Sequence, residues 1–323
     1  MSKRTIDNFF YPSVSKKLKL ADDAPEAEGN ASQTSFSSYP TYPFPIPALP
    51  KAIADVLPKT PFQSPRNISD QPNLDLLYFE PYFSPKVAKE LFEFLRRELF
   101  FYRVQYQIKR FGQETEVNTP RFTTVFGVDA TSLFASDGSV QDNPDNLPDP
   151  KSKTLFQYTP RPLPECLQQL RVSIESATNN TFNFCLVNYY ASGSDSIAYH
   201  SDDEHFLETN PTVASFSLGT RRDFLLKHKT PQPGTTPLKL PLASGDCVVM
   251  RGETQPKWLH SIPKRAGKAG EGGRINITFR KAMIREGTNN YYNYNVGKGE
   301  PFKWSQREGK MVKWTQSASA SGK

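Results

Sequence analysis

Two segments of the chain carry apolar residues at helical spacing. The stretch SPKVAKELFEFLRREL starts at Ser84, and its apolar residues recur at intervals of three and four. Ser84 suits the N-cap and Pro85 the first helical position, so a helix is predicted to begin here. Residues 164–178 predict a second helix. The apolar face of the first predicted helix comprises Val87, Leu91, Phe94 and Leu95.

From Phe182 onward the chain consists of short apolar or alternating segments. They read FCLVNYY, SIAYH, TVASFSL, DFLLKH, DCVVMR and RINITFR. Alternation with a period of two is typical of β-strands. Helices followed by many short strands predict a mainly β fold with flanking helices, either a sandwich or a jelly roll.

Composition divides the chain into four segments. Residues 1–20 form a basic tail, and residues 21–71 are rich in Pro and Ser, which predicts a disordered linker. The folded domain is predicted to span residues 72–288, with a polar loop at 137–153. Residues 289–323 are polar and basic, and we expect most of them to be disordered.

The positive charge is concentrated in the tails. The whole chain carries +7, whereas residues 1–20 contribute +4 and residues 281–323 contribute +5, so the remainder is slightly acidic. Any nucleic-acid surface on the folded domain must therefore be a local patch. The candidate patches are Arg103, Lys109 and Arg110, or Arg221 and Arg222.

Cysteine content and hydropathy argue against several classes of protein. The three cysteines, Cys166, Cys185 and Cys247, lack CxxC spacing and encode neither a disulfide framework nor a thiolate zinc site. No apolar run reaches the roughly 18 residues of a membrane helix, and the first residues lack the apolar run of a secretory signal. We expect a soluble intracellular protein in a reducing compartment.

Two of the four histidines occur in a pattern that favours metal binding. His200 and Asp202 are two residues apart, so at the end of a strand both side chains point to the same face. His260 follows 58 residues after Asp202. Two imidazoles and one carboxylate make the facial triad of non-haem Fe(II) oxygenases, which leaves coordination positions open. An HxD pair alone is also common as a surface or structural feature, and His205 and His228 are interpreted as loop and strand residues.

A polar strand face accompanies the candidate ligands. In RINITFR the polar residues alternate with apolar ones, and in an ordinary half-buried strand they would face solvent. Alternatively, the two arginines, six residues apart on the same face, would clamp both ends of a small dicarboxylate. Asn188 and Tyr190 share a face of LVNYY and offer neutral donors. The polar face comprises Arg274, Asn276, Thr278 and Arg280.

The order NxY, HxD, distant His and RxNxTxR resembles the AlkB family of Fe(II)/2-oxoglutarate dioxygenases, specifically its eukaryotic nucleic-acid repair branch, homologues 2 and 3. The similarity covers residues 74–283 and includes PRFTTVFG, HSDDE, ASFSLGTRRDFLLKHK and LPLASGDCVVM. The resemblance implies a double-stranded β-helix (jelly roll) core. It also implies Fe(II) and 2-oxoglutarate as cofactors, with O2 as cosubstrate.

The resemblance assigns roles to the candidate site. His200, Asp202 and His260 would bind iron. Arg280 would hold the 2-oxoglutarate carboxylate next to the metal and Arg274 the distal one. Asn188 and Tyr190 would assist, and Asn276 and Thr278 would line the same pocket.

The resemblance also implies substrate contacts. Residues 104–126 align with the family's nucleotide-recognition lid, in which Arg110 and Phe111 would form a hairpin tip that enters the base stack, and Arg121 would contact substrate. The alternative is that Phe111 is an ordinary core residue. Glu204 matches a position that reads the damaged base, although it could equally be a solvated acid in an acidic run.

The basic tail carries two short motifs. Ile6, Phe9 and Phe10 resemble the sliding-clamp interaction box, although Lys3 stands where its leading Gln is usual. Two Lys/Arg pairs with 11 residues between them resemble a bipartite nuclear signal. We therefore expect a nuclear monomer that contacts a clamp; the alternative is a solvated basic tail.

The function implied by the resemblance is oxidative demethylation of 1-methyladenine and 3-methylcytosine in DNA. Hydroxylation of the N-methyl carbon would release formaldehyde and the repaired base. An RNA demethylase would share every catalytic residue, and a protein or small-molecule oxygenase is a further alternative. A binding module with a degenerate jelly roll would be expected to lack a ligand or an arginine, and none is missing.

Overall fold

Antiparallel strands dominate the computed structural model of the chain. It describes residues 35–103, 105–110, 113–150, 156, 158–267, 271–285 and 300–315. The strands are β1 (Phe36–Ser37), β2 (Ile46–Pro47), β3 (Arg66–Ile68), β4 (Leu76–Phe79), β5 (Gln105–Arg110), β6 (Gln113–Asn118), β7 (Phe122–Gly127), β8 (Ser132–Phe134), β9 (Val140–Asp142), β10 (Phe184–Tyr190), β11 (Ile197–His200), β12 (Val213–Gly219), β13 (Arg222–His228), β14 (Leu238–Leu242), β15 (Cys247–Met250), β16 (Trp258–Ile262), β17 (Arg274–Arg280), β18 (Phe302–Ser305) and β19 (Lys310–Lys313). The helices are α1 (Lys51–Ala54), α2 (Pro85–Glu98), α3 (Glu165–Thr178) and α4 (Thr254–Lys257), with a 3-10 turn at Leu57–Lys59.

The larger sheet has seven strands in the order β3-β4-β15-β12-β17-β10-β7. β17 lies between β10 and β12, so that Asn276 is opposite Asn188 on one side and Ser217 on the other. Every residue of β17 is buried. Its apolar residues belong to the core on the helical side. Its polar residues point into a cleft between sheets, so the solvent-facing alternative for this strand is wrong.

The smaller sheet has four strands in the order β11-β16-β13-β14. His200 at the end of β11 is directly opposite His260 on β16. Apolar side chains from both sheets pack together in one cluster, including Tyr190 and Met250 from the larger sheet and Phe224 and Ile262 from the smaller. Two facing antiparallel sheets of this kind confirm the predicted mainly β fold with a jelly-roll core.

Helices α2 and α3 lie on the other face of the larger sheet. Ser84 caps α2 as predicted, because its side chain accepts a hydrogen bond from the Val87 backbone N–H at 3.4 Å. Leu91 and Leu95 of α2 and Leu170 of α3 are fully buried in the core that includes Ile277. The two helices therefore close the outer face of the larger sheet and leave the cleft to the smaller sheet.

The chain between residues 35 and 71 is ordered, so the predicted linker 21–71 is wrong over this part; residues 21–34 lie outside the described residues. β1 and β2 form a hairpin, and α1 and the 3-10 turn follow it. Tyr42, Ile46 and Ile53 are buried in the main core. Prolines punctuate the apolar residues and hide the periodicity that signals structure, which explains the difference.

The C-terminal region also contains ordered structure that its composition does not predict. β18 and β19 form a hairpin, and Phe302 exchanges two backbone hydrogen bonds with Phe101, at 2.6 and 2.9 Å. The guanidinium of Arg96 lies 4.0 Å from the centre of the Trp304 ring, and Trp314 contacts Phe44 at 5.4 Å between ring centres. The predicted tail 289–323 is therefore wrong at residues 300–315, and its other residues lie outside the described part.

Smaller features complete the fold. The predicted loop 137–153 contains β9, which pairs with β8. Cys166, Cys185 and Cys247 are free and buried. In the described part of the chain, no helix combines the length and the apolar character that crossing a membrane requires.

Candidate metal and cosubstrate site

Three ligand-type side chains converge at one end of the cleft. One candidate donor atom from each of His200, Asp202 and His260 lies within 4.8 Å of the other two. Nε2 of His200 is 3.9 Å from a carboxylate oxygen of Asp202, and Nε2 of His260 is 4.0 Å from the other oxygen. The predicted trio is thus brought together, with no other such cluster among the described residues.

Strand pairing explains this convergence. His200 and His260 are cross-strand neighbours, and their ring centres are 4.2 Å apart. Nδ1 of His200 lies 2.9 Å from the Ala198 carbonyl oxygen, which leaves Nε2 to face Asp202. Asp202 follows in the loop after β11, and its side chain is 2% exposed.

The electrostatics favour the metal-binding protonation states. Burial, reinforced by the neighbouring His200, lowers the pKa of His260 from 6.5 to about 3, so its imidazole is neutral at physiological pH. Burial opposes ionisation of Asp202, but Arg280, His260 and His200 outweigh it and hold the pKa of Asp202 below its usual value. Arg280 Nη2 is 2.9 Å from the Asp202 carboxylate.

This donor set fits a divalent transition metal. A neutral imidazole and a carboxylate are the ligand types of non-haem Fe(II), and three protein ligands leave positions for small molecules. His205 lies in a turn and is exposed, and His228 pairs with Thr230, so neither belongs to this cluster.

A cavity of about 420 Å³, part of it open to solvent, adjoins the three side chains. Nine of the predicted residues line it, namely Asn188, Tyr190, His200, Asp202, His260, Arg274, Asn276, Thr278 and Arg280. The remaining lining residues are Leu186, Ile197, Ser215, Phe224, Met250 and Ile262. One wall therefore comes from the polar face of β17, and much of the other walls is apolar.

Arg274 is suited to bind an anion deep in this cavity. It is 2% exposed, and burial together with the nearby Arg222 lowers its pKa to about 10 despite the opposing effect of Tyr190. Its Nη2 donates to Ser217 Oγ at 2.8 Å, whereas Nε and Nη1 have no hydrogen-bond partner among the described residues. A buried guanidinium with two available donors fits a carboxylate.

The neighbouring polar residues are held in place by hydrogen bonds. Asn276 donates to Ser215 Oγ at 2.9 Å and to the Phe216 carbonyl at 2.8 Å, and Thr278 donates to the Leu186 carbonyl at 2.9 Å. These side chains shape the cavity wall and are preorganised for a bound ligand.

Arg121 connects the segment after β6 to the cavity. Its Nε donates to Asn188 Oδ1 at 2.9 Å, and its Nη1 lies 3.5 Å from the Ser196 carbonyl. The residue predicted to contact substrate is therefore adjacent to a residue that lines the cosubstrate cavity. A contact with substrate itself stays a prediction.

Of the remaining predicted substrate and partner residues, Glu204 alone has a described side chain. Glu204 is half-buried and does not line the cavity. The backbone of Arg110 ends β5 and pairs with Gln113. Phe111, Ile6, Phe9 and Phe10 lie outside the described residues.

The arginines predicted to form basic surface patches do not all lie on the surface. Arg222 is buried and donates to the carbonyls of Asp195 at 2.8 Å and Pro263 at 2.6 Å, so it is a structural residue and not part of a surface patch. Arg221 is exposed. Arg103 lies 3.5 Å from the buried Asp195 carboxylate.

Three further residues beyond those predicted from the sequence support the site. Ser215 and Ser217 of β12 accept hydrogen bonds from the polar face of β17, and their period of two within ASFSL was a usable signal. Gln255 accepts a hydrogen bond from the Asp202 backbone N–H at 2.9 Å. No pattern in GETQPKWL distinguishes that glutamine.

The two-sheet fold, the His-Asp-His cluster and the arginine-lined cavity define a non-haem Fe(II) oxygenase that uses 2-oxoglutarate. Residues 75–280, well over half of the chain, match the family model described as the 2OG-Fe(II) oxygenase superfamily, and the chain belongs to this superfamily.

The chain is also similar to individual dioxygenases and demethylases with assigned names. It is 31% identical over 208 residues to human "DNA oxidative demethylase ALKBH2", covering 62% of this chain and 71% of that protein. It is 43% identical over 122 residues to the Arabidopsis thaliana protein of the same name, covering 32% of this chain and 38% of that one. It is 36% identical over 140 residues to the rat "Alpha-ketoglutarate-dependent dioxygenase alkB homolog 3", covering 42% and 46%. The chain thus spans less than half of the last two relatives.

Proposed function

We propose that this protein is a DNA repair enzyme that oxidatively demethylates N-alkylated bases, with 1-methyladenine and 3-methylcytosine as substrates. The single observation that carries the proposal is the His200-Asp202-His260 cluster beside the arginine-lined cavity. The similarity to proteins named DNA oxidative demethylase supports the choice of substrate class.

The residues divide into a metal-holding and a cosubstrate-holding set. His200, Asp202 and His260 hold Fe(II). Arg280 and Arg274 hold the two carboxylates of 2-oxoglutarate at opposite ends of β17. Iron with 2-oxoglutarate and O2 supplies the oxidation of the N-methyl carbon, which ends in release of formaldehyde and the repaired base.

The contribution of the protein is orientation and exclusion of water. The seven-residue strand β17 fixes the spacing between the two guanidinium groups. Asn276 and Thr278 donate their hydrogen bonds to other protein atoms, so they do not compete with the two arginines for the carboxylates of the cosubstrate. Apolar residues such as Phe224 and Met250 limit water in the cavity.

The test is a mass-spectrometric demethylation assay of the full chain with Fe(II), ascorbate and 2-oxoglutarate. Matched DNA and RNA oligonucleotides carry either 1-methyladenine or 3-methylcytosine. A 2-oxoglutarate-dependent loss of one methyl group, about 14 Da, from the DNA strands is expected. His228→Ala, which alters a histidine outside the site, serves as the matched control for His200→Ala. A preference for the RNA strands would identify RNA, and not DNA, as the substrate. Consumption of 2-oxoglutarate without demethylation of either strand would reject both nucleic acids as substrates.

The N-terminal motifs belong to the same proposal. Residues 1–20 direct the enzyme to the nucleus and bind a sliding clamp through Ile6, Phe9 and Phe10, and the enzyme acts as a monomer. The support is the motif spacing alone. Deletion of residues 1–20 is expected to spare activity on short oligonucleotides while removing clamp binding and nuclear enrichment. Unchanged affinity of the deletion variant for the clamp would reject the clamp-binding motif. Light scattering tests whether the enzyme is a monomer.

A further inference from the structure

A buried glutamine contacts the backbone of a candidate metal ligand. Gln255, in the single helical turn α4, is 1% exposed. Its Oε1 accepts the backbone N–H of Asp202 at 2.9 Å, and its Nε2 lies 3.2 Å from Met250 Sδ. Both ends of the amide are therefore committed, which fixes the orientation of the side chain.

The turn that carries Gln255 is tightly anchored. Thr254 Oγ1 accepts the backbone N–H of Asp75 at 2.9 Å and donates to the Asp75 carbonyl at 3.1 Å. Arg251 binds the Asp75 carboxylate at 2.7 Å, and Trp258 donates to the Pro72 carbonyl at 3.1 Å. Gln255 is thus presented from a fixed support, and the same turn leads directly into the strand of His260.

The loop that carries Asp202 is also attached to the α4 turn by a second set of contacts. Lys229 Nζ forms an ion pair with the Asp203 carboxylate, and the Lys229 backbone N–H donates to the Lys257 carbonyl at 2.7 Å. Lys257 is the last residue of α4. The loop between β11 and β12 is therefore connected to the α4 turn through two separate routes.

We infer that Gln255 is a positioning residue that fixes the direction in which Asp202 presents its carboxylate to the metal. Arg280 contacts the carboxylate itself, whereas Gln255 holds the backbone from which the carboxylate projects. The inference rests on the proposed assignment of His200, Asp202 and His260 as the metal ligands.

Removing the hydrogen-bond acceptor of Gln255 is expected to weaken metal binding. Gln255→Met keeps the length of the side chain but leaves the buried Asp202 N–H without its acceptor, a situation that proteins avoid. Loss of an outer contact that orients a ligand typically weakens metal binding by about 10- to 100-fold. The expected effect of Gln255→Met is a loss within that range.

The experiment is a Co(II) titration of the metal-free full chain, followed by the visible d–d absorption, which reports both affinity and coordination geometry. Gln255→Met is compared with Thr254→Val, a matched control that removes hydrogen bonds from the same turn without touching Asp202. Asp202→Ala tests the underlying metal assignment. Melting temperatures of all metal-free proteins accompany the titrations.

The expected result is binding at least about tenfold weaker in Gln255→Met, with an altered d–d spectrum, and binding within about twofold of wild type in Thr254→Val. Equal loss in both variants would overturn the inference, because it would reflect general loosening of the turn. Wild-type affinity in Gln255→Met, with binding abolished by Asp202→Ala, would also overturn it while leaving the metal site intact. Retained binding in Asp202→Ala would instead reject the proposed ligands.

Discussion

At the scale of single residues, solvent reaches the candidate metal ligands unequally. The side chain of His200 is 32% exposed, whereas Asp202 and His260 are buried. Asp202 faces Arg280 across 2.9 Å, so it has a structural contact in addition to its proposed metal bond. Substitutions of the ligands should therefore have the same effect on turnover and different effects on stability.

His200→Ala and Asp202→Ala separate these effects. Both are expected to abolish 2-oxoglutarate-dependent turnover. Without metal, His200→Ala should change the free energy of unfolding by less than about 1 kcal/mol, as surface substitutions do. Asp202→Ala removes the carboxylate that faces Arg280 and should cost about 3–5 kcal/mol. Succinate formation and urea denaturation of the metal-free proteins provide the measurements; turnover in either variant would contradict the ligand assignment.

Arg274 offers a second test at this scale. Arg274→Met removes the buried guanidinium while keeping the length of the side chain, so it should raise the KM for 2-oxoglutarate at least about tenfold, the consequence of losing a charge-assisted contact. Ser217→Ala leaves the guanidinium in place and removes only its Nη2 hydrogen bond, and a smaller increase is expected. Initial rates at varied 2-oxoglutarate give both values. An unchanged KM in Arg274→Met would move the cosubstrate elsewhere.

Much of the cavity is predictable residue by residue because strand periodicity is strict. The period of two is enough to place Arg274, Asn276, Thr278 and Arg280 on one face of their strand. The contact of Gln255 with Asp202 is not predictable, because it joins residues 53 positions apart through a turn without periodicity. Whether a polar strand face meets solvent or a cleft also depends on the opposite sheet, which the strand itself does not encode.

At the scale of elements, the beginning of β13 separates two adjacent arginines. Arg221 precedes the strand and is exposed, whereas Arg222 is its first residue and is buried. Arg222 binds carbonyls of the segment just before β11 and the segment just after β16, which are adjacent at one end of the smaller sheet. Two residues that the sequence suggests as one basic patch therefore have two separate roles.

Arg221→Ala and Arg222→Ala form a matched pair for this distinction. Arg222→Ala leaves buried carbonyls without donors and should destabilise the protein by about 2–4 kcal/mol, more than a typical single substitution. Arg221→Ala should stay within about 0.5 kcal/mol of wild type. Thermal and urea unfolding measure both. Equal stability of the two variants would contradict the structural role of Arg222.

At the scale of the whole molecule, the folded unit is larger than the segment that matches the superfamily. The match covers residues 75–280, whereas packed structure begins near residue 35 and continues to residue 315. The N-terminal hairpin and the C-terminal hairpin meet where Phe44 contacts Trp314. Composition conceals this, because prolines interrupt the apolar residues of the N-terminal segment and the C-terminal segment is mainly polar and basic.

Two truncations test the extent of the folded unit. A fragment of residues 72–288 loses Tyr42, Ile46 and Ile53 from the core, each worth about 1.5–3 kcal/mol when fully buried. It should therefore be insoluble or melt more than about 10 °C below the full chain. A fragment of residues 35–315 should melt within about 2 °C of it. Differential scanning calorimetry decides, and equal melting temperatures for both fragments would contradict the packing.

From the position of β11 we expect the site to lose its metal by local opening rather than by global unfolding. It is the four-residue outer strand of the smaller sheet, and within that sheet it pairs with β16 alone. Short edge strands open locally at much lower free energy than the whole fold. Fraying of this strand would withdraw His200 while the core stays folded. The active enzyme would then lose activity because its metal dissociates. Added iron would restore the activity without any need to refold the protein.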